Sequence, residues 1–143
     1  MNNIGGAPLD LMGLLHAAYD AQAMVESKLG AAGLSMAKLQ ALKALADAGE
    51  SMPLSQLAER LSCVKSNITQ LVDRLEADGF VKRDADPRDR RARLAVLTGA
   101  GRKACIDGNR IQQAAERELL ATLTSDEATQ LAALLGKLST QRQ

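Results

Sequence analysis

The chain is 143 residues long, 46% hydrophobic and 24% charged, with a formal net charge of +1. That length can bury a core without disulfides or metals. A charge so near balance excludes a generic polyanion binder, so the distribution of charge matters more than its sum. Two cysteines far apart, Cys63 and Cys105, and a single histidine, His16, supply neither a disulfide framework nor a metal-ligand set. No apolar run approaches the ~20 residues that span a bilayer, and no basic-then-apolar leader opens the chain. The expectation is a cytoplasmic protein with reduced thiols, no membrane partner, no metal and no cofactor. Tyr19 and Phe80 are the only aromatic side chains. Leu, Ala, Val, Ile and Met must therefore build the core, a composition suited to close-packed helices.

Residues 1–8 are polar and glycine-containing and are expected to fray. From Leu9 the spacing of Leu11, Leu14, Leu15, Ala18, Gln22, Val25 and Leu29 predicts a helix, punctuated by Gly30 and Gly33. Ser35 caps a second helix with Leu39, Leu42 and Leu45 on one stripe, ended by Ala48-Gly49-Glu50. Pro53 and Leu54 read as a brief extended link. Ser55 then caps a short third helix with Leu57, Ala58 and Leu61 inward. A tight connection from Ser62 to Lys65 leads to a fourth helix. There Ile68, Leu71, Val72 and Leu75 fall at i, i+3, i+4 and i+7, and Gly79 stops it.

The period then changes to two. Phe80 to Arg83 and Arg93 to Leu97 read as a hairpin around an Asp86-Pro87-Arg88-Asp89 type I turn. Thr98 caps a long helix to about Leu123. Thr124-Ser125-Asp126-Glu127 is a capping box for a last helix carrying Leu131, Leu134, Leu135 and Leu138. The fold class expected is mainly α with a small β-hairpin wing: a winged helix-turn-helix over residues 35–98. The helices of residues 9–34 and 99–140 complete a single domain spanning 1–143.

In a helix-turn-helix the second helix enters the major groove, led by its N-terminal residues. The free face of the fourth helix is centred on Ser66, Gln70 and Asp73, flanked by Asn67, Thr69 and Arg74. Gln and Asn match adenine edges, and Arg matches guanine or phosphate. Lys65, at the start of that helix, suits a phosphate, as does the helix N-terminus. A polar helix face is, by itself, more often merely solvated. The hairpin shifts the balance, because Arg88, Arg90, Arg91 and Arg93 crowd one turn, with Lys82 and Arg83 just before them. Asp84, Asp86 and Asp89 offset part of that charge. Arginine at a hairpin tip suits a narrow minor groove, where negative potential is enhanced.

These residues resemble the MarR (multiple antibiotic resistance regulator) family of bacterial transcription factors over roughly Leu9 to Leu138. The strongest stretch is LAERLSCVKSNITQLVDRLEADGFVKRDADPRDRRARLAVLTGAG, Leu57 to Gly101, with its DPRDRR wing followed by LAVLT and a glycine. GLSMAKLQALKAL, Gly33 to Leu45, resembles the family's second helix. The resemblance implies a homodimer whose terminal helices interleave, acting on double-stranded DNA at a pseudo-palindromic operator. It also implies a repressor released by a small phenolic or other aromatic anion. By position, Arg91 matches the wing arginine that enters the minor groove and Asp89 the acidic residue that orients it. Val64 stands where many members place a capping Ser or Asp, and Gln70 where many have arginine, so the target sequence cannot be carried over.

Other residues admit two readings. Cys63, near Lys65 and the start of the fourth helix, is either an oxidisable thiol or a small packed residue; packing is favoured. Cys105 reads as packing. His16 and Tyr19, three apart on the first helix, either hold an aromatic effector or sit at the dimer interface or surface. No nucleophile elbow, phosphate loop or convincing carboxylate pair supports an enzyme. The competing function is a winged helix serving as a protein-interaction module.

Overall fold

The computed structural model describes residues 8–62 and 65–140. The expected fraying of residues 1–7, and the positions of Cys63 and Val64, lie outside the described residues. Helices α1 (Leu11–Gly30) and α2 (Met36–Asp47) lead to strand β1 (Ser51–Pro53), then α3 (Leu54–Arg60) and α4 (Lys65–Ala77). Strands β2 (Val81–Asp86) and β3 (Asp89–Leu97) follow, then α5 (Gly99–Leu120) and α6 (Ser125–Thr140). The mainly helical fold with a hairpin wing is as expected.

Local chemistry accounts for most of these boundaries. Asp10 caps α1, its Oδ1 accepting from the Gly13 N–H at 2.7 Å, and Ser35 caps α2 through the Lys38 N–H at 3.1 Å. Thr98 does the same for α5, its Oγ1 accepting from Gly101 N–H at 3.0 Å. At α6 the capping box forms in both directions: Glu127 N–H donates to Thr124 Oγ1, and Thr124 N–H to Glu127 Oε1. Gly79 ends α4 with φ of 79°, a left-handed conformation that a side chain would strain.

Three boundaries depart from expectation. The extended link is a strand: β1 pairs antiparallel with β3, Met52 opposite Ala95, in a sheet of order β1-β3-β2. Three residues ending in proline show no periodicity, and proline is tolerated here because β1 is an edge. Ser55 does not cap α3. The helix leaves β1 directly, with Pro53 at the cap position and no side-chain cap bond. The hairpin strands are longer than expected and run to the turn itself, so Asp86 pairs with Asp89 and Arg90 and Arg91 lie within β3.

The core sits between α2, α3, α4 and the inner half of the sheet, closed by α5 and the end of α1. Leu29, Leu39, Leu42, Leu45, Leu57, Ile68, Val72 and Leu75 are its largest fully buried side chains. Among the described residues no polar or charged side chain is buried. Gly101 lets α5 start against the sheet: a Cβ there would collide with the Phe80 carbonyl and Leu97. By contrast Leu11, Met12 and Leu15 of α1, Ile106, Leu119 and Leu120 of α5, and Leu131, Leu134, Leu135 and Leu138 of α6 are exposed.

Candidate nucleic-acid interface

α4 is amphipathic in the way a groove-reading helix requires. Ile68, Val72 and Leu75 are buried, while Asn67, Thr69, Gln70 and Arg74 are exposed on the opposite side. Lys65 is its first residue and Ser66 its second. Asn67, Thr69, Gln70 and Arg74 thus lie outward on a helix whose inner side chains are buried in the core.

The wing lies beside α4 and is bonded to it through Arg83 of β2. In β3, Ala95 and Leu97 are buried against the core, and Val81 faces Leu97 across the ladder. By the two-residue period of a strand, Arg91 and Arg93 continue that face outward, and Arg90 takes the other. The chain reverses at Pro87-Arg88.

Among the described residues the wing aspartates form no ion pair with these arginines; they bond to the backbone. Arg88 N–H donates to Asp86 Oδ1 and Arg91 N–H to Asp89 Oδ1, each at 2.9 Å. Asp84 Oδ1 accepts from Ala85 N–H at 2.8 Å. Such side chain-to-backbone bonds within two residues are the ordinary turn chemistry of aspartate. Asp89 thus contacts Arg91 through its main chain, and the guanidinium extends freely. Among the described residues Arg88, Arg90, Arg91 and Arg93 form no ion pair, although all four are exposed. Four unpaired guanidinium groups around one turn make a concentrated cationic tip.

Arg83, counted from sequence only as nearby charge, behaves differently. It reaches from β2 to α4, where Nη1 donates to Glu76 Oε1 at 3.0 Å and Nη2 to Asp73 Oδ1 at 2.6 Å. Asp73, expected at the centre of the reading face, is therefore engaged by the wing. The available signal was the strand period: Arg83 shares a face with Val81, the face toward α4.

The sequence-expected effector residues line neither of the two grooves described below. His16 and Tyr19 are exposed on α1, and His16 Nε2 lies 3.7 Å from Asp20 Oδ2 one turn on. A groove of about 540 Å³ lies between β1, α3 and the wing turn, lined by Met52, Pro53, Gln56, Pro87, Arg88 and Leu94. A second, of about 300 Å³, lies between α2 and the end of α3; neither includes His16 or Tyr19. Cys105 packs half-buried beside the core, and burial pushes its thiol up, Lys43 opposing the rise and Asp47 adding to it. It is a poor thiolate at neutral pH, as a packing residue should be. Among the described residues no group of His, Cys, Asp or Glu can hold a metal, and no helix is long and apolar enough to cross a membrane.

Known proteins repeat this arrangement. The MarR family model matches residues 34–92, from the start of α2 into β3. The Bacillus subtilis HTH-type transcriptional regulator YkoM is 36% identical over 84 residues, covering 59% of this chain and 54% of YkoM. The regulator YcgE of the same organism is 32% identical over 107 residues, covering 75% of this chain and 69% of YcgE. The chain thus spans about half the length of the first curated relatives it matches. A mutant of Escherichia coli MarR, solved with operator DNA, superposes with a TM-score of 0.78 at 27% identity, covering 90% of this chain and 92% of that one. With a winged helix-turn-helix around α4, a family model that matches across it and a relative 32% identical over 75% of the chain, the chain belongs to the MarR family of HTH-type transcriptional regulators.

Proposed function

We propose that this protein is a homodimeric, sequence-specific double-stranded DNA-binding regulator, a repressor released by a small aromatic anion. The observation that carries the reading is the wing tip: Arg88, Arg90, Arg91 and Arg93, exposed and without an ion pair among the described residues, on a hairpin bonded to α4 through Arg83. Crowded guanidiniums are unfavourable unless anions meet them, and a phosphate backbone with a narrow minor groove supplies both anion and shape. In this reading Ser66, Asn67, Thr69, Gln70 and Arg74 meet base edges, Lys65 a phosphate, and Arg91 the minor groove. Residues 35–98 bind DNA, and 9–34 with 99–140 join two copies.

Dimerisation is supported by the exposed large apolar side chains, which among the described residues all lie in or beside α1, α5 and α6. A single chain leaves them wet, and isologous contact with a second copy covers them at both ends at once. An aromatic effector held by His16 and Tyr19 would bind only in that assembled dimer, near the paired terminal helices.

The test combines mass and titration. Light scattering at micromolar protein should give two chains; a monomer would sink the dimer and the palindromic operator with it. Titration at two salt concentrations should show a steep salt dependence for a duplex selected from a random pool. Gln70→Ala should cost that duplex roughly 1–3 kcal/mol of preference over random DNA. Lys65→Ala should weaken both duplexes alike and flatten the salt dependence. A parent protein indifferent to DNA at low salt would instead favour a protein-interaction module.

A further inference from the structure

We propose that Arg83 is a positioning residue: by joining the wing to the recognition helix before DNA arrives, it sets the angle at which α4 and the wing tip meet a duplex. The proposal rests on the DNA-binding reading above. Its geometry is independent of that reading.

Arg83 makes four contacts with one stripe of α4. Its backbone N–H donates to Glu76 Oε2 at 3.1 Å, and Nη1 donates to Glu76 Oε1 at 3.0 Å. Nη2 donates to Asp73 Oδ1 at 2.6 Å and lies 3.3 Å from the Thr69 carbonyl. Thr69, Asp73 and Glu76 stand at i, i+4 and i+7, so one guanidinium spans two turns of the helix. The planar fork serves two carboxylates and a carbonyl at once, which a lysine ammonium does less well. Arg83 itself is mostly covered, at 23% side-chain exposure, and so is better shielded than an ordinary surface pair.

The wing needs such an anchor. Beyond Arg83 the hairpin carries Arg88, Arg90, Arg91 and Arg93, which repel one another, and among the described residues its outer positions are not buried. The hairpin outside Leu94, the outermost β3 residue paired with β1, rests on its own ladder, and an isolated hairpin is marginal in water. Anchoring it to α4 removes hinge freedom that binding would otherwise have to freeze, and pre-organisation of that kind raises affinity without a new contact. The same bonds engage two carboxylates that would otherwise stand unpaired beside the reading face.

The two accounts of Asp73 differ in sign. If charge alone mattered, Asp73→Ala would remove a repulsive carboxylate and tighten binding to any duplex. If Arg83 positions the wing through Asp73, the same change loosens the hairpin and weakens the duplex selected from a random pool. Arg83→Met, which keeps much of the stem, should weaken that duplex roughly tenfold to a hundredfold, as loss of hydrogen bonds to charged groups implies. Random DNA should suffer less. Arg83→Lys should recover part of the loss, and Arg83→Met/Asp73→Ala should cost less than the two single effects added.

A second readout needs no DNA. In the free protein, hydrogen–deuterium exchange over residues 81–94 should quicken in Arg83→Met and Asp73→Ala, while α2 keeps the parent rate. Unchanged exchange there would overturn the proposal whether or not the protein binds DNA. Tighter duplex binding by Asp73→Ala would overturn it while leaving the DNA-binding reading intact. A parent that ignores every duplex while the exchange shift appears would defeat only the DNA-binding reading.

Discussion

The winged helix-turn-helix and the terminal helices use the same leucine-rich alphabet and end in opposite states. Leu39, Leu42, Leu45 and Leu57 are fully buried, whereas Leu131, Leu134, Leu135 and Leu138 of α6 are all at least 41% exposed. Both stripes have helical spacing, so periodicity alone does not separate them. The difference lies in what each stripe faces: α2 meets α3, α4, α5 and the sheet within one chain, and among the described residues α6 meets no comparable apolar partner. A helix stripe says that something must cover it. Whether the cover is local or a second copy is decided by which elements the topology brings near.

The largest effects test that comparison directly. Leu42→Ala removes a fully buried side chain and should cost about 2–5 kcal/mol in urea unfolding. That loss should not depend on protein concentration. Leu135→Ala should do little to the single chain yet raise the dimer dissociation constant, so its unfolding midpoint should move with concentration. Equal, concentration-independent losses would erase the distinction between the two regions.

Next comes the junction between them. Gly101→Ala places a methyl against the Phe80 carbonyl and Leu97, both belonging to the wing base. Overpacking of this kind costs typically about 1–3 kcal/mol. Because α5 runs from this contact into the terminal region, the variant should lose both thermal stability and dimer mass. Gly108, packed against Leu34 and Leu39, is a second close approach, and alanine there should show the milder form of the same defect.

What could be read beforehand follows the same division. Helix order, the α4 stripe and most caps were legible because each depends on residues a few positions apart. β1 was not, being a three-residue strand defined by its partner β3. The cap assigned to Ser55 failed because β1 delivers the chain straight into α3. Arg83 was counted only as charge, since its partners lie seven and ten residues back and meet it only once β2 folds beside α4. His16 and Tyr19 are exposed on α1, and the effector role proposed for them depends on the proposed dimer.

The wing prediction separates shape from charge. Arg91→Ala should lower affinity for the selected duplex without altering folding or dimer mass, and less so where the flanks are G·C-rich with a wider minor groove. Arg91→Lys should rescue in part. Asp89 accepts the Arg91 N–H and pairs with no guanidinium among the described residues, so Asp89→Asn keeps the acceptor while removing the charge. We expect Asp89→Asn to bind about as the parent does and Asp89→Ala to bind less well. Tighter binding by both would reduce the wing to a generic basic patch.

The smallest expected effect is also the cleanest control, because one residue type caps a helix in each region. Thr98 begins α5 at the base of the wing; its Oγ1 donates to the Gly79 carbonyl at 2.6 Å and accepts from Gly101 N–H. Thr124 begins α6 and serves only its own capping box with Glu127. Replacing a threonine cap by alanine costs typically about 1 kcal/mol. For Thr98→Ala that loss should appear in unfolding at any protein concentration, because the cap also joins α5 to the end of α4. For Thr124→Ala the same intrinsic loss frays the start of a helix whose apolar face is exposed among the described residues. It should surface instead as weaker association, measured by light scattering across a dilution series. If both variants changed only unfolding, α6 would be stable by itself and the terminal helices would owe nothing to a second copy.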